Sequence, residues 1–152
     1  MDWLPDLLPI SAHGGNWDQY IQRVYEQFHN DFILSRPTLD GEYVGVRRTP
    51  ILEGRERTFW HLVSEGTVEE DRLPSMERCE RIAWPRSLIE HAATDDVHWW
   101  AKEARRVIVT LADFSYVLVL TQARGYKLLL TAYPVERPHR RRKLEKEWKR
   151  YS

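Results

Sequence analysis

Apolar positions along the chain follow two rhythms. Trp17, Tyr20, Ile21, Val24, Phe28 and Phe32 recur at helical spacing. They predict an amphipathic helix over about residues 16–30 with its aromatic stripe in the core. Asn16 stands where a capping residue belongs, with Gln19 three positions on as in a capping box. His29 falls off the stripe and is expected at the surface. After residue 104 the rhythm shortens. Residues 105–111, 116–120 and 126–133 are runs of Val, Ile, Leu and Tyr broken by Gly, Asp and Ser, which reads as three strands. Their connections are too short for crossover helices, so antiparallel pairing is expected. Pro134 closes the sheet, and Pro138 opens a helix over 138–151.

Between these regions the pattern is weaker. Asp40-Gly41 signals a turn before a short strand around Tyr43, which alternates with Gly45 and Arg47. Residues 58–66 fit strand or buried helix equally. If helical, Glu65 lies one turn beyond His61 and could orient it. Leu73-Pro74 favours a helix start, with Met76, Cys79 and Ile82 or Ala83 on one face and Glu77 and Arg81 an ion pair. Trp84-Pro85-Arg86 should end that helix, residues 87–93 add another turn or two, and residues 97–100 make a fourth strand. The expected fold is α+β: an antiparallel meander, N-terminal helices on one face and a basic C-terminal helix. One domain spans 1–152, with an irregular lead-in (1–15), a mostly helical part (16–93), the sheet (97–133) and the basic helix (138–151).

Composition and charge narrow the chemistry. Apolar residues make up 42% of the 152, enough for one core, and the formal net charge is +0. A neutral protein has no global field to draw nucleic acid, so any attraction must be local. The C-terminal segment supplies it: Arg137, Arg140, Arg141, Arg142, Lys143, Lys146, Lys149 and Arg150 face only Glu145 and Glu147. Cations at a helix start oppose the macrodipole. A charge run is often only a solvated face. Here, free N–H groups and basic side chains also converge as a phosphate site would require. Arg47 and Arg48 are a second possible phosphate contact. Cys79 is alone, which leaves no disulfide framework or thiolate metal site. With no signal-peptide pattern and no long apolar run, the expected compartment is the cytoplasm, away from membranes.

The six histidines show no HExxH spacing, and no Gly-rich phosphate loop or GxSxG elbow occurs, so neither metal nor cofactor is expected. His, Thr, Tyr, Arg and Lys remain, a set suited to cleaving RNA with its own 2′-hydroxyl. His61, Thr131, Tyr133 and His139 are the catalytic candidates. Apolar neighbours favour a neutral His61, the form a base needs, whereas His139 could bind phosphate or donate a proton. Period-two alternation puts Tyr126, Leu128, Leu130 and Ala132 on a core face. Lys127, Leu129, Thr131 and Tyr133 then share a surface beside the basic helix. Lys127, Arg140, Arg141, Arg142 and Lys143 are candidates for holding substrate. Arg81 and Arg86, flanking Trp84 near a cleft that region could close, are further candidates, with surface pairing to Glu80 or Glu90 as their alternative role.

Thr58-Phe59-Trp60-His61, the stretch from Arg78 to Arg86, Thr131-Ala132-Tyr133 and the stretch from His139 to Leu144 resemble the barnase–EndoU–colicin–RelE-like (BECR) nuclease superfamily, including its phage- and plasmid-borne members. The resemblance covers most of the chain after Thr58 and is one of residue types: a His acid or base, a hydroxyl, and Arg or Lys for phosphate. It implies a metal-independent, toxin-like endoribonuclease of a mobile element, with RNA as substrate and an antitoxin or immunity protein as partner. The alternative is a non-enzymatic module that binds nucleic acid or protein through the basic helix.

Overall fold

The computed structural model describes residues 1–152 and has an α+β fold built on one six-stranded sheet. Helix α1 (Trp17–Phe28) starts at Asn16, whose side chain accepts a hydrogen bond from the Gln19 N–H, and runs on through a wider turn, His29–Ile33. Strands β1 (Thr38–Leu39) and β2 (Glu42–Val46) follow. Asp40 and Gly41 between them take φ of 53° and 80°, the left-handed pair that a two-residue hairpin turn requires. Next come α2 (Arg57–Val63), the hairpin β3 (Ser64–Glu65) and β4 (Leu73–Pro74), and the short helices α3 (Met76–Glu80) and α4 (Trp84–Glu90). The meander is β5 (Val97–Lys102), β6 (Arg106–Leu111), β7 (Tyr116–Gln122) and β8 (Lys127–Pro134), and α5 (Pro138–Tyr151) ends the chain.

The strand order is β1-β2-β8-β7-β6-β5. All meander pairs are antiparallel, as expected, but β2 joins β8 in parallel through Val44–Lys127, Gly45–Leu128 and Val46–Leu129. The sheet is therefore mixed, and the 16–93 region, besides its helices, supplies an edge of the sheet and a hairpin. Leu73-Pro74 does not open a helix. It pairs with Ser64-Glu65, and α3 starts after Ser75, whose hydroxyl takes the Arg78 N–H. Pro85 sits in the first turn of α4 rather than ending α3, because that position lacks only a donor the helix does not use. Arg81 donates to the Glu77 carbonyl instead of pairing with its carboxylate.

Both faces of β7 are covered, as its apolar run implied. On one face Tyr20, Ile21, Val24, Phe28 and Phe32 meet Phe59, Leu88, Val109, Leu118 and Leu129 in the main core. Trp17 is the exception in the stripe, 36% exposed at the first helical position, and His29 is half-buried rather than exposed. Trp84 packs on this side too, edge-on to Tyr116, with its indole N–H on the Pro5 carbonyl. It closes no cleft on the opposite face. That face carries a smaller core of Trp100, Ile108, Phe114, Val117 and Val135, covered by Leu144, Trp148 and Tyr151 of α5.

Strand β8 breaks its alternation. Leu120 faces Leu129 but Val119 faces Thr131, so Leu130 is an extra residue in a β-bulge. Before the bulge Lys127 and Leu129 point into the main core, and after it Ala132 does. The expected single surface of Lys127, Leu129, Thr131 and Tyr133 is thus split. Lys127 is 3% exposed, and its ammonium bonds the Glu42 carboxylate at 2.6 Å and the Leu39 carbonyl at 3.3 Å. It fastens the β1–β2 hairpin to β8 and is not placed to hold substrate.

Asp31, in the wide turn after α1, has its carboxyl pushed up to about 6 by burial, against the hydrogen bonds from Gln27. A folded pKa above the unfolded value means that its contribution to stability is full below about pH 4 and is lost as pH rises through about 6. Asp31→Asn keeps the acceptor for Gln27 without the charge. Melting temperatures measured from pH 4 to pH 8 should therefore show the variant gaining on the parent as pH rises. Parallel curves would mean that Asp31 is solvated.

Candidate active site

The α5 helix lies across the second face of the sheet without filling it. Its last turns are held hard. Trp148 stacks on His98 at 3.8 Å, and the Glu147 carboxylate takes the Trp100 indole N–H at 3.0 Å and the Lys102 ammonium at 2.8 Å. The Tyr151 hydroxyl donates to Glu103. Burial of His98 under this stack lowers its pKa, since the charged ring loses water. The first turns stand clear of the sheet, and a groove of about 640 Å³ opens beneath them.

Its floor is apolar, Ile108, Val117, Val119 and Val135, and its rim is basic. Arg106 rises from the start of β6, and His139, Arg140 and Lys143 descend from the first turns of α5. The guanidinium and ammonium groups of Arg106, Arg140 and Lys143 have no ion-pair or hydrogen-bond partner in the protein. The groove's one carboxylate, Glu147, is already committed to Lys102 and Trp100. Tyr133 stands at one end, where the groove meets a second cleft of about 350 Å³ that shares Tyr133, Val135 and Arg140 with it. The Tyr133 phenol has no hydrogen-bond partner, and Arg78 lies over its ring at 5.1 Å. Glu77, in the second cleft, is held above the usual carboxylate range by the neighbouring Glu136 carboxyl.

Of the four catalytic candidates, the fold brings two together, Tyr133 and His139. Thr131 lies on the same side of β8 as Tyr133, but its hydroxyl donates to the His61 carbonyl at 3.0 Å. The His61 ring points elsewhere, 3.0 Å from the Glu69 carboxylate, which the imidazole keeps below its usual range. Because α2 ends at Val63, Glu69 rather than Glu65 is its partner. The His61 carbonyl is an anchor for the C-terminus of α2: it and the Ser64 carbonyl accept from both Arg72 and Arg78. Two cations at a helix C-terminus complement its dipole. Burial holds the Arg78 guanidinium below its ordinary value.

Among the substrate candidates, Arg140 and Lys143 line the groove. Arg141 turns back to the Val135 carbonyl at 2.6 Å and Arg142 is exposed without lining it. Arg86 is spent on Glu90, the Asp31 carbonyl and Ser35, and Arg81 lies over Trp84, so both serve the main-core side of the protein. Arg47 and Arg48 are exposed beyond the end of β2, outside the groove. Sequence reasoning missed Arg106, Lys102 and Arg78. The signal for Arg106 was a cation at the first residue of an otherwise apolar strand, on the face shared with Ile108.

No protein-family model, curated protein or solved structure matches the chain. No helix is long and apolar enough to cross a membrane. What the arrangement can do is therefore read from its chemistry: three uncommitted cations, a phenol and an imidazole around an apolar floor fit an extended anion with apolar parts.

Since the Tyr133 hydroxyl makes no bond within the protein, Tyr133→Phe should cost less than about 0.5 kcal/mol of stability. Urea unfolding of the two proteins checks this, and a larger loss would show that the phenol supports the fold.

Proposed function

We propose that the protein is a metal-independent endoribonuclease that cleaves RNA by attack of a 2′-hydroxyl on the adjacent phosphorus. The observation that carries the reading is the convergence of Arg106, Arg140 and Lys143, all uncommitted, with Tyr133 and His139 over one apolar floor. The cations hold the scissile phosphate and offset the charge that grows on it in the transition state. An imidazole exchanges a proton near neutrality, and a phenol carries one there. His139 accordingly takes the 2′-hydroxyl proton and Tyr133 protonates the departing 5′-oxygen. The products are a 2′,3′-cyclic phosphate and a 5′-hydroxyl end, and DNA, without a 2′-hydroxyl, is bound but not cut.

The resemblance to BECR nucleases supports the same reading and extends it to a toxin-like protein of a mobile element, held in check by an antitoxin or immunity protein. Cys79, buried and unpaired, agrees with action in a reducing cytoplasm. A second reading, an RNA-binding module without catalysis, is favoured by one observation: no hydrogen bond within the protein orients His139 or the Tyr133 hydroxyl.

Cleavage of a single-stranded RNA in EDTA separates the two readings. His139→Ala should lower the rate roughly 100- to 10,000-fold, with Tyr133→Phe in the same range, while His61→Ala loses activity only with its folded fraction. An intact RNA after prolonged incubation with the parent protein would leave the binding module. Replacing Arg106, Arg140 and Lys143 by Ser should weaken binding and flatten its dependence on log salt by about 2, at about 0.7 per phosphate on a single strand. An unchanged salt slope would remove the groove from the interface.

A further inference from the structure

Helix α5 is anchored over β5 and leaves the first half of β8 and its neighbour β2 uncovered on the second face of the sheet. The register sets one row across that face: Arg106 of β6, Thr121 of β7, Leu128 of β8 and Gly45 of β2. The row begins at the groove, which Arg106 lines. Three strand spacings of about 4.8 Å put its far end about 14 Å away. Leu128 is half-buried yet packs in neither core. The space above Gly45 is open, since a Cβ there would meet only the Leu128 side chain, at 3.5 Å. Tyr43 shares this face, because Val44 beside it points into the main core. It is 56% exposed, and the Arg36 guanidinium lies 5.0 Å from its ring centroid. An aromatic ring so exposed and backed by a guanidinium is a stacking platform for a base.

Free charge at this end of the sheet is mostly positive. Arg36, Arg105, Arg106 and Arg124 form no ion pair. Of the carboxylates there, Glu42 is bonded to Lys127 and Gln122, and Glu103 to Tyr151. That leaves Asp40 in the β1–β2 turn. A strip of apolar and aromatic surface edged by unpaired arginines, and continuous with the groove, suits unstacked bases with phosphates between them. We propose that single-stranded RNA leaves the groove across this strip, with its phosphates near the arginines and one base stacked on Tyr43. The inference rests on the groove being a nucleic-acid site, but not on cleavage there.

Labelled 2′-O-methyl oligouridines of about three and about eight nucleotides test it, the longer one long enough to span groove and strip. Their blocked 2′-oxygens let fluorescence anisotropy read binding without cleavage. Tyr43→Thr, which keeps a strand-forming residue, should weaken the longer probe about tenfold and the shorter one less than about twofold. Tyr43→Phe keeps the stacking face and should keep the affinity. Tyr43 is exposed, so folding is little affected, and circular dichroism checks that. Replacing Arg106, Arg140 and Lys143 by Ser should weaken both probes. If that triple variant loses the longer probe while Tyr43→Thr binds it like the parent, the proposal is overturned and the groove reading stands. If the parent binds neither probe, both are overturned. Self-association in sedimentation that Tyr43→Thr abolishes would also overturn the proposal, by making a second copy the occupant.

Discussion

The bulge in β8 decides which of its side chains reach the groove under α5. Without the extra residue at Leu130, Thr131 and Tyr133 would keep the alternation of Lys127 and Leu129 and enter the main core. One inserted residue reverses the parity, so Lys127 and Leu129 of the first half point into the core, whereas Tyr133 of the second half faces the groove under α5. The same strand thus supplies Leu129, fully buried against the aromatic stripe of α1, and Tyr133, with its hydroxyl unengaged.

How much of this could be read in the chain depends on the range of the forces involved. The α1 stripe from Tyr20 to Phe32 and the meander of β6, β7 and β8 rest on local periodicity and short turns, and both were legible. The parallel seat of β2 on β8 was not. It is fixed by backbone pairing across most of the chain and by Lys127 reaching Glu42, and no local pattern marks a lysine as buried. Leu73-Pro74 carried a genuine helix-start signal, but Ser64-Glu65 offered a strand partner and Ser75 a better cap. At the candidate site, the basic start of α5 and Tyr133 were visible as residue types. Arg106 showed only as a cation at the start of a strand, and the strand register was needed to place it opposite them.

The cations at the start of α5 also divide once their contacts are known. Arg141 returns to the Val135 carbonyl and ties the helix start to the end of β8. Arg140 and Lys143, three positions apart and so on one side of the helix, have no such tie and face the groove. Placing repelling charges at the positive end of a helix is unfavourable, and it is tolerated because the far end is secured by Glu147, Trp148 and Tyr151. One end of α5 is committed to structure, and the other is left with unpaired cations on the groove.

The pairing of β2 with β8 has a consequence for how the chain comes together. Glu42 and Lys127 are separated by 85 residues. Closing so long a loop is slow relative to forming hairpins. On the ribosome, where chains emerge from the N-terminus, the β1–β2 hairpin must wait with the outer edge of β2 unpaired until β8, the last strand of the meander, has been made. The groove, by contrast, draws on residues 102–147 alone. The β1–β2 hairpin is therefore among the first parts synthesised and among the last to find its place, and the edge it leaves open meanwhile is where mispairing between nascent chains is most exposed.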